Sequence, residues 1–253
     1  MVPLTKIGPG REFAPLRIEP GQRVFVLTGA GISAESGVAT FRDANGLWEQ
    51  HRVEDVATPE GFRRDPLLVW RFYSERRRQV AKVQPNPAHL ALARLGQALG
   101  DRLFLCTQNV DPLHEQAGSR GVVHMHGELC STRCEKCDRA PFRDGAAYLD
   151  RVPRCDCGGR LRPDVIWFGE IPLELQRIFA ALSDCDLFVT VGSSGAVYPA
   201  AGFVSHLRNV PNGRGHFARC VYLGLEKPEN AHSFDECRLG KAGELLPTLF
   251  SAL

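Results

Sequence analysis

The run His124-Met125-His126-Gly127-Glu128 sets two imidazoles two positions apart. Strand alternation puts His124 and His126 on one face and Met125 on the other. An unperturbed imidazole titrates near pH ~6.5, so a histidine at a strand end, followed by glycine, can take a proton from a ligand hydroxyl at neutral pH. The plainer alternative is a pair of hydrogen-bonded structural histidines. A second cluster is Thr107-Gln108-Asn109-Val110-Asp111. Its Gln, Asn and Asp offer the donors and acceptors an amide ligand needs, and equally those of an Asx-turn in a polar loop.

Cys134-x-x-Cys137 and Cys155-x-Cys157 stand 17 residues apart. Four thiolates suit tetrahedral zinc and leave no open coordination position, so a metal held there is structural. Redox pairing is the alternative, and Cys130 is a nearby decoy. The remaining cysteines are scattered through apolar segments, as expected for packing in a reducing compartment.

These groups need elements to position them. Val24–Leu27 is a short apolar run that reads as a buried strand, ending at Gly29-Ala30-Gly31. With Ala34 this fits G-x-G-x-x-A, in which small residues let backbone N–H groups approach a pyrophosphate at a helix start. A plain strand–turn–helix fits as well. Thr40-Phe41-Arg42-Asp43 follows with an aromatic, a cation and an acid. Thr58-Pro59, Asp65-Pro66 and Asn86-Pro87 each pair an N-cap with proline at N1, predicting three helices, the second over 67–82 and the third to Ala98. The next buried strand is Leu103–Thr107, much farther on than a simple βαβ unit allows. A helical module is therefore inserted in the first crossover, and the acid that normally binds an adenosine ribose is out of place.

Later strands are predicted at Val122–Met125, Val165–Phe168, Leu187–Val191 and Val221–Leu223, with helices at Pro172–Leu182 and Ala200–Leu207. Alternating strands and helices predict an α/β fold: a Rossmann-like, doubly wound parallel sheet. The prolines and glycines of the first 20 residues suggest an irregular arm. Arg162 to Glu170 offers either a core strand or an edge for an extended peptide. Val191-Gly192-Ser193-Ser194 is a further strand-to-glycine turn suited to ribose or phosphate.

The 253 residues carry a formal net charge of +2. That balance gives nucleic acid binding no support. No apolar run reaches membrane-spanning length, and the N-terminal stretch lacks a signal-peptide core, so a cytoplasmic protein is expected.

Taken together, GAGISAESGVATFRD, TQNVD, HMHGEL, the cysteine pairs, RPDVIWFGE and GSSGAVYPAA resemble the sirtuin family of NAD-dependent protein lysine deacylases, across about residues 20–250. The closest likeness is to its class III desuccinylase, demalonylase and deacetylase subgroup. The resemblance implies NAD as a consumed cosubstrate, one structural zinc on Cys134, Cys137, Cys155 and Cys157, and acyl-lysine proteins as substrates. It implies no nucleic acid or membrane partner, and a monomer is favoured. Gly29, Ala30 and Gly31 would cradle the pyrophosphate beside Arg42, with Phe41 against the nicotinamide and Ser36, Trp48 and Val110 nearby. Asn109 and Asp111 would hold the carboxamide, Gln108 the ribose, and Gly192, Ser193 and Ser194 the adenosine side, with Ala242 near adenine. His126 would be the base that deprotonates a ribose hydroxyl, after which water releases lysine and O-acyl-ADP-ribose. Val165, Phe168 and Gly169 would pair with the substrate backbone.

The resemblance also implies a large lobe (about 21–50, 84–127 and 160–253) and a small lobe made of a helical insert (51–83) and a zinc module (128–159). Tyr73 and Arg76, i and i+3 on a helix, could hold a carboxylate above the small Ala57. That arrangement is similar to the subgroup that removes succinyl, malonyl or glutaryl groups. Read without the family, Arg76-Arg77-Arg78 is a solvated basic face. Gly224 departs from the family, which has an Asn there for the adenosine ribose. The rival functions are a mono-ADP-ribosyltransferase, an enzyme that is mainly a deacetylase, a non-enzymatic NAD or peptide module, and a zinc-ribbon nucleic-acid binder.

Overall fold

The computed structural model describes residues 4–6, 13–39, 47–48 and 51–250. Strand β1 (Leu4–Lys6) precedes β2 (Val24–Thr28), the short helix α1 (Gly31–Ala34) and a hairpin of β3 (Leu47–Trp48) and β4 (His51–Arg52). Four helices follow: α2 (Val53–Val56), α3 (Pro59–Arg64), α4 (Pro66–Val80) and α5 (Pro87–Leu99). Then come β5 (Leu103–Thr107), α6 (Leu113–Gln116), β6 (Val123–His124), β7 (Gly127–Cys134), β8 (Phe142–Arg143) and β9 (Leu161–Val165). The chain ends through α7 (Leu175–Leu182), β10 (Leu187–Val191), α8 (Phe203–Asn209), β11 (Arg219–Gly224), β12 (Glu236–Leu239) and α9 (Ala242–Leu249).

Seven strands form one parallel sheet in the order β1-β12-β11-β10-β2-β5-β6. Every residue of β2 and β10 is buried, as continuous apolar strands covered on both faces must be. One face packs Val24, Val26, Leu92 and Leu95 against Leu245 and Leu246 of α9. The other packs Phe25, Leu27 and Phe188 against Ile178, Phe203 and Leu207. From β2 the chain moves outward to β5 and β6, and later returns on the opposite side through β10 to β12. The order therefore reverses at β2, with Thr28 in register with Val191 on one side and Thr107 on the other. Ligands of open α/β sheets bind beyond the carboxyl ends of strands at such a reversal.

The three helix starts follow the expected chemistry. Thr58 Oγ1 accepts from Gly61 N at 2.9 Å and Asp65 Oδ1 from Leu68 N at 2.9 Å. Asn86 caps α5, whose N3 residue, His89, reaches back to the Asn86 N–H. A third apolar cluster joins this insert (Val56, Phe62, Val69, Trp70, Tyr73) to Leu129, Leu161 and Trp167. There β8, β7 and β9 form a separate antiparallel sheet.

Three expectations are corrected. The strand expected at Val165–Phe168 lies earlier, at Leu161–Val165, hidden by an Arg, a Pro and an Asp that are all buried. Pro163 is tolerated because β9 is an edge strand. The N-terminal arm, expected to be irregular, adds β1 alongside β12, which the sequence reading omitted. The triple arginine is not one solvated face. Arg78 is exposed beside Glu75, Arg76 lines a cavity, and Arg77 is buried.

Arg77 ties α4 to β7. Its guanidinium donates to the carbonyls of Leu129 (2.8 Å), Ser131 (2.9 Å) and Ala146 (2.9 Å) and to Thr132 Oγ1 (2.9 Å). Asp144 lies 3.5 Å away. Removing one partner of a buried charged network leaves the others unpaired, at a cost of about 3–5 kcal/mol. Arg77→Met is expected to lose stability on that scale, read as a lower denaturant midpoint in urea unfolding.

Candidate active site

At the reversal point two turns press together. Gly29 N donates to Val191 O and Gly31 N to Gly192 O, both at 2.9 Å. A Cβ on Gly31 would stand 2.7 Å from Gly192 Cα, and one on Gly29 2.8 Å from Ser193 Cα. Gly192 has φ +63°, which favours glycine in any case. The glycines thus serve turn-to-turn contact, and the N–H groups of Gly29 and Gly31, expected to face a pyrophosphate, are spent on the neighbouring strand end.

These turns border a cavity of about 520 Å³, within the ~300–1,000 Å³ usual for ligand sites. Gly29, Ala30 and Gly31 line it, as do Gln108, Asn109, Val110, Asp111 and His126. Gly192, Ser193, Ser194 and Ala242 close one end. Ala57, Tyr73, Arg76, Val165, Phe168 and Gly169 line the other. Ser36 is not among the lining residues, and its hydroxyl accepts from Asn86 Nδ2 at 3.0 Å. Phe41, Arg42 and the side chain of Trp48 lie outside the described residues.

The polar loop after β5 is held from all sides. Gln108 N donates to Thr28 O (2.9 Å) and its side chain to Ser193 Oγ (2.9 Å). Asn109 Nδ2 donates to Ser33 Oγ (3.0 Å) and Gly29 O (3.2 Å). Asp111 accepts from Ser33 Oγ (3.0 Å) and from Leu113 N (3.2 Å). Burial pushes the Asp111 carboxyl up, opposed by those two donors and by the charge of His124. Sequence reading missed Ser33, and its only signal was a hydroxyl on the first turn after the glycines.

His126 Nδ1 lies 3.0 Å from Gln108 O. A carbonyl only accepts, so Nδ1 carries the hydrogen and Nε2 is the bare nitrogen of the neutral ring. Burial pulls its pKa below the ordinary histidine value, against the pull of that carbonyl. The arrangement is that of a neutral base fixed in one tautomer. Gly127, with φ +78°, follows at once, and a Cβ there would meet Asp164 O at 2.1 Å. Glycine is therefore what lets β7 leave the base and pair with β9.

Where Tyr73 and Arg76 line the cavity, Trp167 Nε1 donates to Tyr73 Oη at 3.0 Å. Burial raises the phenol's pKa, so it stays a protonated donor. The Arg76 guanidinium stacks on Phe72, 4.5 Å from its centroid. The turn after β9 is not an open strand edge. Ile166 N donates to His126 O (2.8 Å), Trp167 N to Glu170 Oε2 (2.8 Å) and Phe168 N to Ala57 O (3.0 Å). At the opposite end, a Cβ on Gly224 would meet the Tyr222 hydroxyl at 2.3 Å. That hydroxyl donates to Ser193 O at 3.1 Å. At Gly224, where the resemblance implies Asn, a side chain would press on that hydroxyl.

Away from the cavity, the four sulfurs of Cys134, Cys137, Cys155 and Cys157 lie within 4.8 Å of one another. Cys134 and Cys157 are 3.6 Å apart, Cys137 and Cys155 3.8 Å. Four thiolates ~2.3 Å from zinc in a tetrahedron stand about 3.8 Å apart. The N–H groups of Lys136 and Gly159 point at the sulfurs of Cys134 and Cys157. The residues fit a structural zinc.

The sequence model of the Sir2 family matches residues 29–199. The chain belongs to the Sir2 family. It is 52% identical over 228 residues to an NAD-dependent protein deacylase of Pasteurella multocida (strain Pm70), covering 89% of this chain and 95% of that one. It is 51% identical over 234 residues to the protein of the same name in Escherichia coli (strain K12), covering 91% and 82%. A solved Sir2 homologue–NAD complex superposes with a TM-score of 0.82 at 36% identity, covering 95% and 96%. A Sir2 structure bound to acetylated peptide gives 0.73 at 25% identity, covering 91% and 92%. In this Sir2 chain the metal is expected to act on stability, since its ligands lie away from the cavity. Elemental analysis should find one zinc per chain, and Cys134→Ser should lose the metal and lower the thermal midpoint.

Proposed function

We propose that this chain is an NAD-dependent protein lysine deacylase whose groove favours acyl groups ending in a carboxylate, succinyl, malonyl or glutaryl, over acetyl. One observation carries the acyl preference: Tyr73 and Arg76 line the same cavity as His126, from one face of α4. A phenol O–H and a guanidinium make charge-assisted hydrogen bonds to a carboxylate, and Ala57 leaves room for the longer chain.

NAD, when bound, supplies the glycosidic bond that breaks and the ribose that receives the acyl group. In this reading Gly29 to Gly31, Arg42 and Gly192 to Ser194 hold the dinucleotide, with Phe41, Trp48 and Val110 along it and Ala242 by the adenine. Asn109 and Asp111 hold the carboxamide and Gln108 the ribose. His126 Nε2 takes the ribose hydroxyl proton, while Nδ1–H stays on the Gln108 carbonyl. Val165, Phe168 and Gly169 flank the substrate peptide. The cavity lies between a large lobe built on the parallel sheet and a small lobe of helical insert and zinc module, and the third apolar cluster supports that division. The proposal has the chain acting on acyl-lysine proteins as a cytoplasmic monomer, with neither nucleic acid nor a membrane as partner. Among the described residues no helix is long and apolar enough to cross a membrane.

General-base catalysis contributes about 10²–10⁴-fold, so His126→Ala is expected to lose deacylation by that factor. The base must be neutral, and burial lowers its pKa. Activity should therefore fail on acidification at a lower pH than a free histidine's ~6.5, read from kcat/KM against pH. A hydrogen bond to a charged group is worth about 1.5–3 kcal/mol. Arg76→Met should lose roughly ten- to hundredfold on succinyl-lysine peptide and little on acetyl-lysine peptide. Equal losses, measured by mass spectrometry of both products, would leave an enzyme that is mainly a deacetylase.

A further inference from the structure

Two successive carbonyls of the loop after β5 are each capped by an imidazole. Gln108 O takes His126 Nδ1, and Asn109 O takes His124 Nδ1 at 2.9 Å. The second nitrogen of His124 meets Glu115 Oε1 at 3.0 Å. A carbonyl and a carboxylate both only accept, so both nitrogens of His124 carry hydrogens and the ring is a cation. His124 does not line the cavity, and its side chain is 8% exposed. It therefore acts through the loop and not on a ligand.

We propose that His124 is a positioning residue for nicotinamide release: clasped between the Glu115 carboxylate of α6 and the Asn109 carbonyl, it holds the Asn109–Asp111 turn against the cavity. The proposal rests on the deacylase reading. The charged groups around the ring agree with it. Glu115 and, more weakly, Glu128 at the start of β7 favour the cation. The cation in turn favours the Asp111 carboxylate and disfavours a charge on His114 of α6, which burial keeps neutral. Through Asn109 and Asp111 the clasp reaches Ser33, which takes the Asn109 amide and donates to Asp111. Loss of the His124 proton would set a bare Nε2 lone pair against the Glu115 carboxylate and open the clasp.

The experiment measures nicotinamide released from NAD with an acyl-lysine peptide, from pH 6.5 to 9.5, in the wild-type chain and in H124F, H124N and E115Q. Release by the wild-type chain is established first, and its absence would overturn the deacylase reading before any variant is compared. H124F should lose about tenfold in kcat with KM for the peptide within twofold. H124N, whose amide can donate to the same carbonyl, should regain several-fold. The wild-type rate should fall on the alkaline side. In E115Q that fall should vanish or shift by at least half a pH unit, because a Gln amide can donate to a neutral Nε2. Glu115 is half exposed, so E115Q tests the clasp even where H124F folds poorly. A full rate in H124F per folded enzyme, or an alkaline limb unchanged in E115Q, would overturn the proposal.

Discussion

Backbone meets backbone where the strand order reverses, and the site is built on that contact. Gly31 and Gly192 approach so closely that no side chain fits between them. The two hydrogen bonds across the seam fix the spacing of the β2 and β10 ends. The loop after β5 is then registered on this seam, through Thr28 O on one side and Ser193 Oγ on the other. The buried parallel sheet makes the seam rigid, because its strands are packed on both faces and a shift of one end would disturb both apolar layers.

On that base the protein sorts two histidines, two positions apart, into opposite electrostatic settings. Both give Nδ1–H to the same loop. His126 has its other nitrogen bare in a buried setting and stays neutral. His124 has a carboxylate at its other nitrogen, and its pKa is raised although burial opposes this. The same residue type is thus pushed in opposite directions by its surroundings, one ring toward the neutral form and the other toward the cation.

Much of this was legible in the chain. Proline at N1 after Thr58, Asp65 or Asn86 announces a helix by chemistry confined to four residues, and all three starts fell where expected. Continuous apolar runs such as Leu187–Val191 needed no tertiary context. The cysteine spacing was enough to bring four sulfurs together. What was hidden depended on partners distant in sequence. Leu161–Val165 looks polar in sequence, but its Arg162 is paired with Glu170 and its Asp164 with Arg133 of β7. Arg77 looks like its solvated neighbours until β7 supplies its carbonyls. The glycines of the first turn read as a need for close approach by a ligand, and the sequence does not show that Gly192, more than 150 residues away, approaches them as well. Gly224 reads as a lost contact until Tyr222 is seen above it.

The turn leaving β9 has its N–H groups at 166, 167 and 168 committed to His126, Glu170 and Ala57. Its carbonyls are partly taken as well, since Val165 O accepts from Arg162 Nη2 and Trp167 O from Glu170 N. A segment whose backbone groups are paired within the chain holds its shape without an outside partner. This wall of the cavity is therefore built before anything enters it.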